Sequence, residues 1–182
     1  NAPITVVRDA AGQLIKKITE ADISVLVNQS WQPPESFTIT ALDGQTTLYG
    51  EIFKPSFFDA NQTYPVIDHI YPGPQNIHVP KSFCTNGNQI AYRWPGMWHM
   101  QALAECGFIV VTIDTPGSSM RSRAFREASY GNMHIAPFAE HKAAIEKIAA
   151  DRPYMDLNRV GITGHSAGGY ATVRAMLTYP DF

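Results

Sequence analysis

The chain has 182 residues, 45% of them hydrophobic and 16% charged, with a net charge of −2. That length suits one ordinary domain with a real core, and the near-neutral balance leaves no electrostatic footprint for nucleic acid or an anionic membrane surface. No run of 18 apolar residues exists, so no segment has the length and composition of a membrane-spanning helix.

In chain order, residues 4–18, ITVVRDAAGQLIKKI, predict two short strands around the turn from Asp9 to Gly12. Thr19 to Asp22 offers a capping-box start for a helix carrying Ile23, Leu26 and Val27. Residues 28–35, NQSWQPPE, form a linker, because Pro33 and Pro34 exclude both helix and ladder hydrogen bonding. The expected organisation is a leading segment over 1–35 and the main domain over 36–182.

Residues 36–44 and 46–55 alternate apolar and polar around Asp43-Gly44, the pattern of an antiparallel hairpin. YPVIDHIYPG (64–73) is a more continuous apolar run, as a buried strand would be. Residues 74–95 predict a long irregular loop. Met97 to Cys106 predicts a short helix stopped by Gly107, and FIVVTID (108–114) a buried strand. Residues 136–151 predict an amphipathic helix with Ala143, Ile145, Ile148 and Ala149 on its apolar face, ended by Pro153. Residues 159–163 predict a strand, and 167–178 a helix closed by Pro180. A hairpin followed by three strand–helix repeats implies an α/β domain with a mostly parallel central sheet.

The chemistry concentrates at RVGITGHSAGGY (159–170). A strand leads in, a glycine-flanked turn holds Ser166, and a helix leads out, which is the context a G-x-S-x-G nucleophile needs. The serine of such an elbow sits in a strained backbone conformation that lifts its oxygen clear of the sheet. Gly164 and Gly168 remove side chains that would collide where strand and helix converge. The helix start supplies unsatisfied N–H groups and a positive dipole end, so the Ala167 N–H is the natural first donor to an oxyanion. A phosphate-binding reading is weaker, since no G-x-x-x-x-G-K pattern is present.

Several stretches in order resemble the catalytic domain of the prolyl oligopeptidase and dipeptidyl peptidase IV family of serine peptidases. They are ALDGQTTLYGEIFKP as the entry hairpin, YPVIDHIYPGPQ as the third strand, FIVVTIDTPGSSMRSRAFREASYGN as the following strand and loop, and PYMDLNRVGITGHSAGGYATVRAML as the nucleophile strand and helix. The resemblance covers about residues 36–182, and residues 1–35 resemble the end of a β-propeller and its linker. It implies an α/β-hydrolase fold, a peptide substrate often cut after proline, an acyl-enzyme on Ser166, and no cofactor. It also assigns to Tyr71 the family's oxyanion hydroxyl. The residues agree, because Tyr71 ends a buried strand, on the edge where open α/β sheets bind ligands. Two departures stand out. His165 and Ala167 replace the aromatic residues usual in G-W-S-Y-G-G, and Pro116 stands where the loop arginine is usual. They imply a divergent, bacterial-type branch. The alternatives are a carboxylesterase or lipase, which the GHSAGG stretch also suits, and a non-catalytic relative used for binding.

A serine needs a base, and in α/β-hydrolases the acid and histidine follow the nucleophile in chain order. Sixteen residues follow Ser166, with Asp181 among them and no histidine. The expectation is a partial domain whose acid and base lie beyond Phe182, inactive as a fragment, with an open sheet edge that favours self-association. Of the six histidines, His165 adjoins Ser166, but neighbouring side chains at a strand end point apart. His134 and His141 lie near a predicted helix and read as surface or packing residues, and His69, His78 and His99 complete the set. Asp114 ends a strand and is expected to brace the loop 115–121. No H-E-x-x-H or carboxylate cluster suggests a metal. Cys84 and Cys106 suit either two free thiols or one bridge, so the compartment, periplasm or cytoplasm, stays open.

Overall fold

A computed structural model describes residues 2–74, 77–79, 83, 96–131 and 136–180. They fall into two compact units, Asn1–Pro33 and Pro34–Phe182. In the first, β1 (Ile4–Arg8) and β2 (Leu14–Glu20) form an antiparallel hairpin. Its turn is closed by the Asp9 carboxylate, which accepts from the Ala11 and Gln13 N–H groups at 2.9 and 2.8 Å. The short α1 (Ser24–Asn28) follows. The Thr19 capping box does not form, because Thr19 and Glu20 are spent in β2. Ile23 occupies the cap position without a side-chain bond, and the Asp22 carboxylate accepts from the Ser24 N–H instead.

The second unit is built on a five-stranded sheet. Its strands are β3 (Glu35–Thr40), β4 (Thr47–Phe53), β5 (Tyr64–His69), β6 (Ile109–Asp114) and β7 (Met155–Thr163), in the spatial order β3-β4-β6-β5-β7. β3 pairs antiparallel with β4 and β4 with β6, while β5 is parallel to both β6 and β7. The fold is the expected α/β type, and the sheet within it is mixed, since the entry hairpin contributes both antiparallel pairings. β7 starts at Met155, four residues before the predicted strand. Met155 and Asp156 pair with Tyr64 and Pro65 ahead of a register shift, and the polar run around Asn158 hides this from the apolar pattern.

Alternation along the strands assigns the helices to faces. Ile109, Val111 and Ile113 of β6, with Val66 of β5, pack against Ala144, Ile145 and Ile148 of α4 (Ala136–Ala150). On the other face, Val110 and Ile67 meet Met100 and Ala104 of α2 (Gly96–Glu105). α5 (Ala167–Thr178) joins the α4 side, where Ala171 packs with Ile70 and Phe138. The sequence pattern missed α3 (Arg123–Glu127), a single turn capped by the Ser122 hydroxyl accepting from the Phe125 N–H at 3.2 Å. Its role is to drive Phe125 into the core beside α4.

Candidate active site

Ser166 sits between β7 and α5 at φ 55° and ψ −115°. For a residue with a Cβ this backbone costs roughly 1–3 kcal/mol and persists only where surrounding structure imposes it. What imposes it is the convergence of three backbones. A Cβ on Gly164 would lie 2.5 Å from the Ile70 carbonyl oxygen and 2.6 Å from the carbonyl carbon of Gly168, and a Cβ on Gly168 would overlap the same Ile70 oxygen. Strand β7, helix α5 and the chain leaving β5 therefore meet with no room for side chains at these two positions. Ser166 itself is exposed. Behind it the Gly168 N–H donates to the His165 carbonyl at 2.7 Å and the Tyr170 N–H to the Ser166 carbonyl at 3.0 Å. Ala167 is the first residue of α5, a position whose N–H has no acceptor within the helix.

The same close approach fixes where Tyr71 stands. Its Cα would be 3.5 Å from a Cβ on Gly168, so Tyr71 borders the elbow through backbone contact. The topology brings the two to a switch point. β5 and β7 are parallel neighbours, yet the chain leaves β5 toward α2 on one face and leaves β7 toward α5 on the other. Adjacent strands whose carboxyl-end loops diverge in this way open a ligand crevice. Ser166, Ala167 and Tyr71 all lie at that end of the sheet.

Around Tyr71 the structure places a buried polar group. His69, the last residue of β5, puts Nδ1 2.7 Å from Nε2 of His78 and Nε2 3.2 Å from Nδ1 of His99 on α2. The His69 and His78 rings lie edge to edge and nearly coplanar, 4.8 Å between centres with 6° between planes, and the centre of the Tyr71 ring is 6.1 Å from that of His78 with 25° between planes. Burial, then the neighbouring His99, holds His69 down to about 4. Burial, then His69 and His141, holds His78 well below the usual imidazole range. Both rings are therefore neutral near pH 7.

Other candidates fall elsewhere. Asp114 braces the segment after β5: its Oδ1 accepts from the His78 and Val79 N–H groups at 2.7 and 3.2 Å. His141 is a packing residue in α4, with Nδ1 2.9 Å from Oδ1 of Asp68, and both side chains are almost wholly buried at 4% and 2% exposure. Neither that pair nor the histidine chain could be foreseen, because each joins residues far apart in sequence. His165 is exposed beside Ser166. Cys106 is exposed and free. Cys84, His134 and Asp181 lie outside the described residues, as does most of 74–95. Among the described residues, no group of three or more His, Cys, Asp or Glu is placed to hold a metal ion.

Residues 94–182 match the family model described as the prolyl oligopeptidase family. Dipeptidyl peptidase 8 of Mus musculus is 32% identical over 151 residues, 83% of this chain. Dipeptidyl-aminopeptidase B of Emericella nidulans is 32% identical over 160 residues, 85% of this chain. The chain spans 16% of the length of each of these relatives. Among solved structures, a protein described as a dipeptidyl aminopeptidase IV from Bacteroides ovatus superposes on 97% of the chain with a TM-score of 0.76 at 29% identity, using 24% of its own length. Porphyromonas gingivalis dipeptidyl peptidase 4 shares the fold over 96% of the chain and 24% of its own, with a TM-score of 0.71 at 24% identity.

Proposed function

Because the chain belongs to the prolyl oligopeptidase family, we propose that it carries the nucleophile and oxyanion site of a serine peptidase, with Ser166 as the attacking group. The observation that carries this reading is the strained, exposed Ser166 at the start of α5, held by backbone packing at Gly164 and Gly168. In the reaction, the Ser166 oxygen bonds to the substrate carbonyl carbon as its proton passes to a general base. The resulting oxyanion lies between the Ala167 N–H and the Tyr71 hydroxyl, two donors carried just past the ends of neighbouring strands, β7 and β5. Collapse expels the amine, which takes the proton, and water then releases the acyl group from serine.

The base and the acid that orients it we place outside these 182 residues. Relatives of the chain are roughly five times as long, and four of its own histidines are committed elsewhere: His69, His78 and His99 to one another, His141 to Asp68. The names of the relatives support a dipeptidyl type of action, in which the acyl group is an amino-terminal dipeptide, and the family supports proline in its second position. We place residues 1–35 at the end of a preceding propeller-like segment.

The test is kinetic. The intact protein should release p-nitroaniline from a free-amino Xaa-Pro-p-nitroanilide, and Ser166→Ala should lower kcat by at least about 10⁴-fold with the fold retained. Retained activity in Ser166→Ala would remove the nucleophile assignment. Preference for an amino-blocked, longer peptide would replace the dipeptidyl action with endopeptidase action. The isolated 182-residue chain should show neither activity. It should self-associate through the outer edge of β7, which pairs only with β5 among the described residues, and the exposed Val173, Met176 and Leu177 of α5. A monodisperse monomer in light scattering would contradict this last expectation.

A further inference from the structure

The oxyanion reading leaves a question of precision. Tyr71 is not in β5 but two residues past its end, on a strap that carries no ladder hydrogen bonds beyond Ile70, whose N–H reaches the Thr163 carbonyl at 2.9 Å. A catalytic donor on such a strap is useful only if its position is set to a fraction of an ångström. The elbow glycines hold the Tyr71 backbone but not its ring.

What backs the ring is His78. It is buried, is joined edge to edge to His69, and has the Tyr71 ring beside it at 6.1 Å between centres and 25° between planes. Its backbone is pinned independently, by the Asp114 carboxylate at the end of β6. His69 in turn reaches across to His99 on α2. The chain of contacts runs through both nitrogens of His69, so the rings join end to end. A neutral imidazole has one donor and one acceptor nitrogen. The two contacts can therefore both be satisfied with the N–H groups of His78 and His69 pointing the same way along the chain, toward His99. The end ring, His99, is exposed and can complete the chain to solvent. Three elements, β5, β6 and α2, thus meet behind the Tyr71 ring through groups that an apolar core would not require.

We propose that His69, His78 and His99 are positioning residues that set the Tyr71 phenol for the oxyanion, with His78 as the member that acts on it directly. The proposal rests on the oxyanion role given to Tyr71 above. None of the three touches the reacting atoms. They act by holding the strap and the ring in the one geometry the transition state needs, so their effect belongs in kcat rather than in substrate affinity. The groups facing this chain are His69 and Asp68 from β5, His99 from α2, Asp114 from β6, His141 from α4 and Tyr71 itself. Of these, His69 and His78 cannot both be protonated while the contact holds, because two protonated rings leave no acceptor between them.

The experiment is a double-mutant cycle in the intact protein, with kcat and KM measured on the same Xaa-Pro substrate. His78→Asn should lower kcat by roughly 10- to 100-fold, within the loss of one oxyanion donor, and leave KM within about threefold. Tyr71→Phe should lower kcat by about 10²-fold or more. In the Tyr71→Phe background, His78→Asn should add nothing, since a positioning group has no role once the hydroxyl it positions is gone. His78→Phe keeps a ring behind Tyr71 and should recover part of the loss. Where His78→Asn fails to fold, His99→Ala replaces it, because that side chain is exposed and leaves no buried void. It should give a smaller kcat loss that likewise vanishes without the hydroxyl. Full additivity of His78 and Tyr71 changes, or unaltered kcat in both His78→Asn and His99→Ala while Tyr71→Phe is impaired, overturns the positioning role alone. Unaltered kcat in Tyr71→Phe overturns the oxyanion reading and the proposal with it.

Discussion

At Gly168 a single hydrogen in place of a methyl group decides whether the elbow can close. The Ile70 carbonyl oxygen already occupies the space a Cβ would take. Gly168→Ala should therefore destabilise the domain by about 1–3 kcal/mol, the usual cost of forcing atoms into a packed site, and push Ser166 out of register with Tyr71. Thermal unfolding and kcat, read on one sample, should both fall. A variant with unchanged stability and activity would mean that the three backbones converge less tightly than described. The buried histidines make a second prediction at this scale. His69 is held neutral down to about 4 in the folded protein, against 6.5 for a free imidazole. Between those values the unfolded chain binds the extra proton, so the contribution of His69 is full above pH 6.5 and is lost as pH falls toward 4. At about 1.4 kcal/mol per tenfold change in proton affinity this amounts to on the order of 3 kcal/mol. Denaturant unfolding between pH 7 and 4 should show that decline, and His69→Gln should flatten it. An equal slope in the variant would place the acid sensitivity elsewhere. The elbow was legible at single-residue resolution because glycine and serine at fixed offsets record a backbone constraint directly. The roles of His69, His78 and Asp114 were not, since each depends on partners 9 to 36 positions away.

Between elements, one carboxylate does much of the joining at the far end of the sheet. Glu35, the first residue of β3, accepts from Lys54 Nζ after β4 at 2.5 Å and from Arg152 Nη2 after α4 at 2.6 Å. Lys54 also lies over the Phe58 and Tyr154 rings. Burial pushes the Glu35 carboxyl up, but its bonds to Lys54 and Arg152 outweigh that and hold it below the ordinary 4.5. Its stabilisation is therefore complete above the unfolded-state value and is lost as pH falls through the lower folded one. Glu35→Gln should cost about 1 kcal/mol at pH 7, modest because the pair is partly solvated. The gap from the native protein should close as pH drops below 4. A gap independent of pH would show that packing, not charge, links these three elements. The elements themselves were mostly readable. The continuous apolar run of β6 and the 3.6-residue periodicity of α4 are signals of full and one-sided burial. β7 was read short and α3 was missed for a common reason. Asp156 to Arg159 and Arg123 to Glu127 are polar stretches ordered by pairing and packing rather than by their own pattern.

Over the molecule as a whole, the order β3-β4-β6-β5-β7 is what turns separate motifs into a site. It sets the strand bearing the elbow beside the strand leading to Tyr71 and sends their outgoing helices to opposite faces, so the switch point follows from connectivity. The α/β class was foreseen from the alternation of strands and helices, whereas the mixed character of the sheet follows from where the entry hairpin inserts, which local pattern does not encode. The family relationship and the shared fold agree with that architecture. The central claim is the identity of the nucleophile, and it has a direct measurement. The intact protein should be treated with a fluorophosphonate, digested, and the modified residue located by mass spectrometry. The expected result is one stoichiometric adduct on the peptide containing Ser166, absent after prior denaturation. An adduct on a different serine, or full inactivation with Ser166 unmodified, would contradict the account.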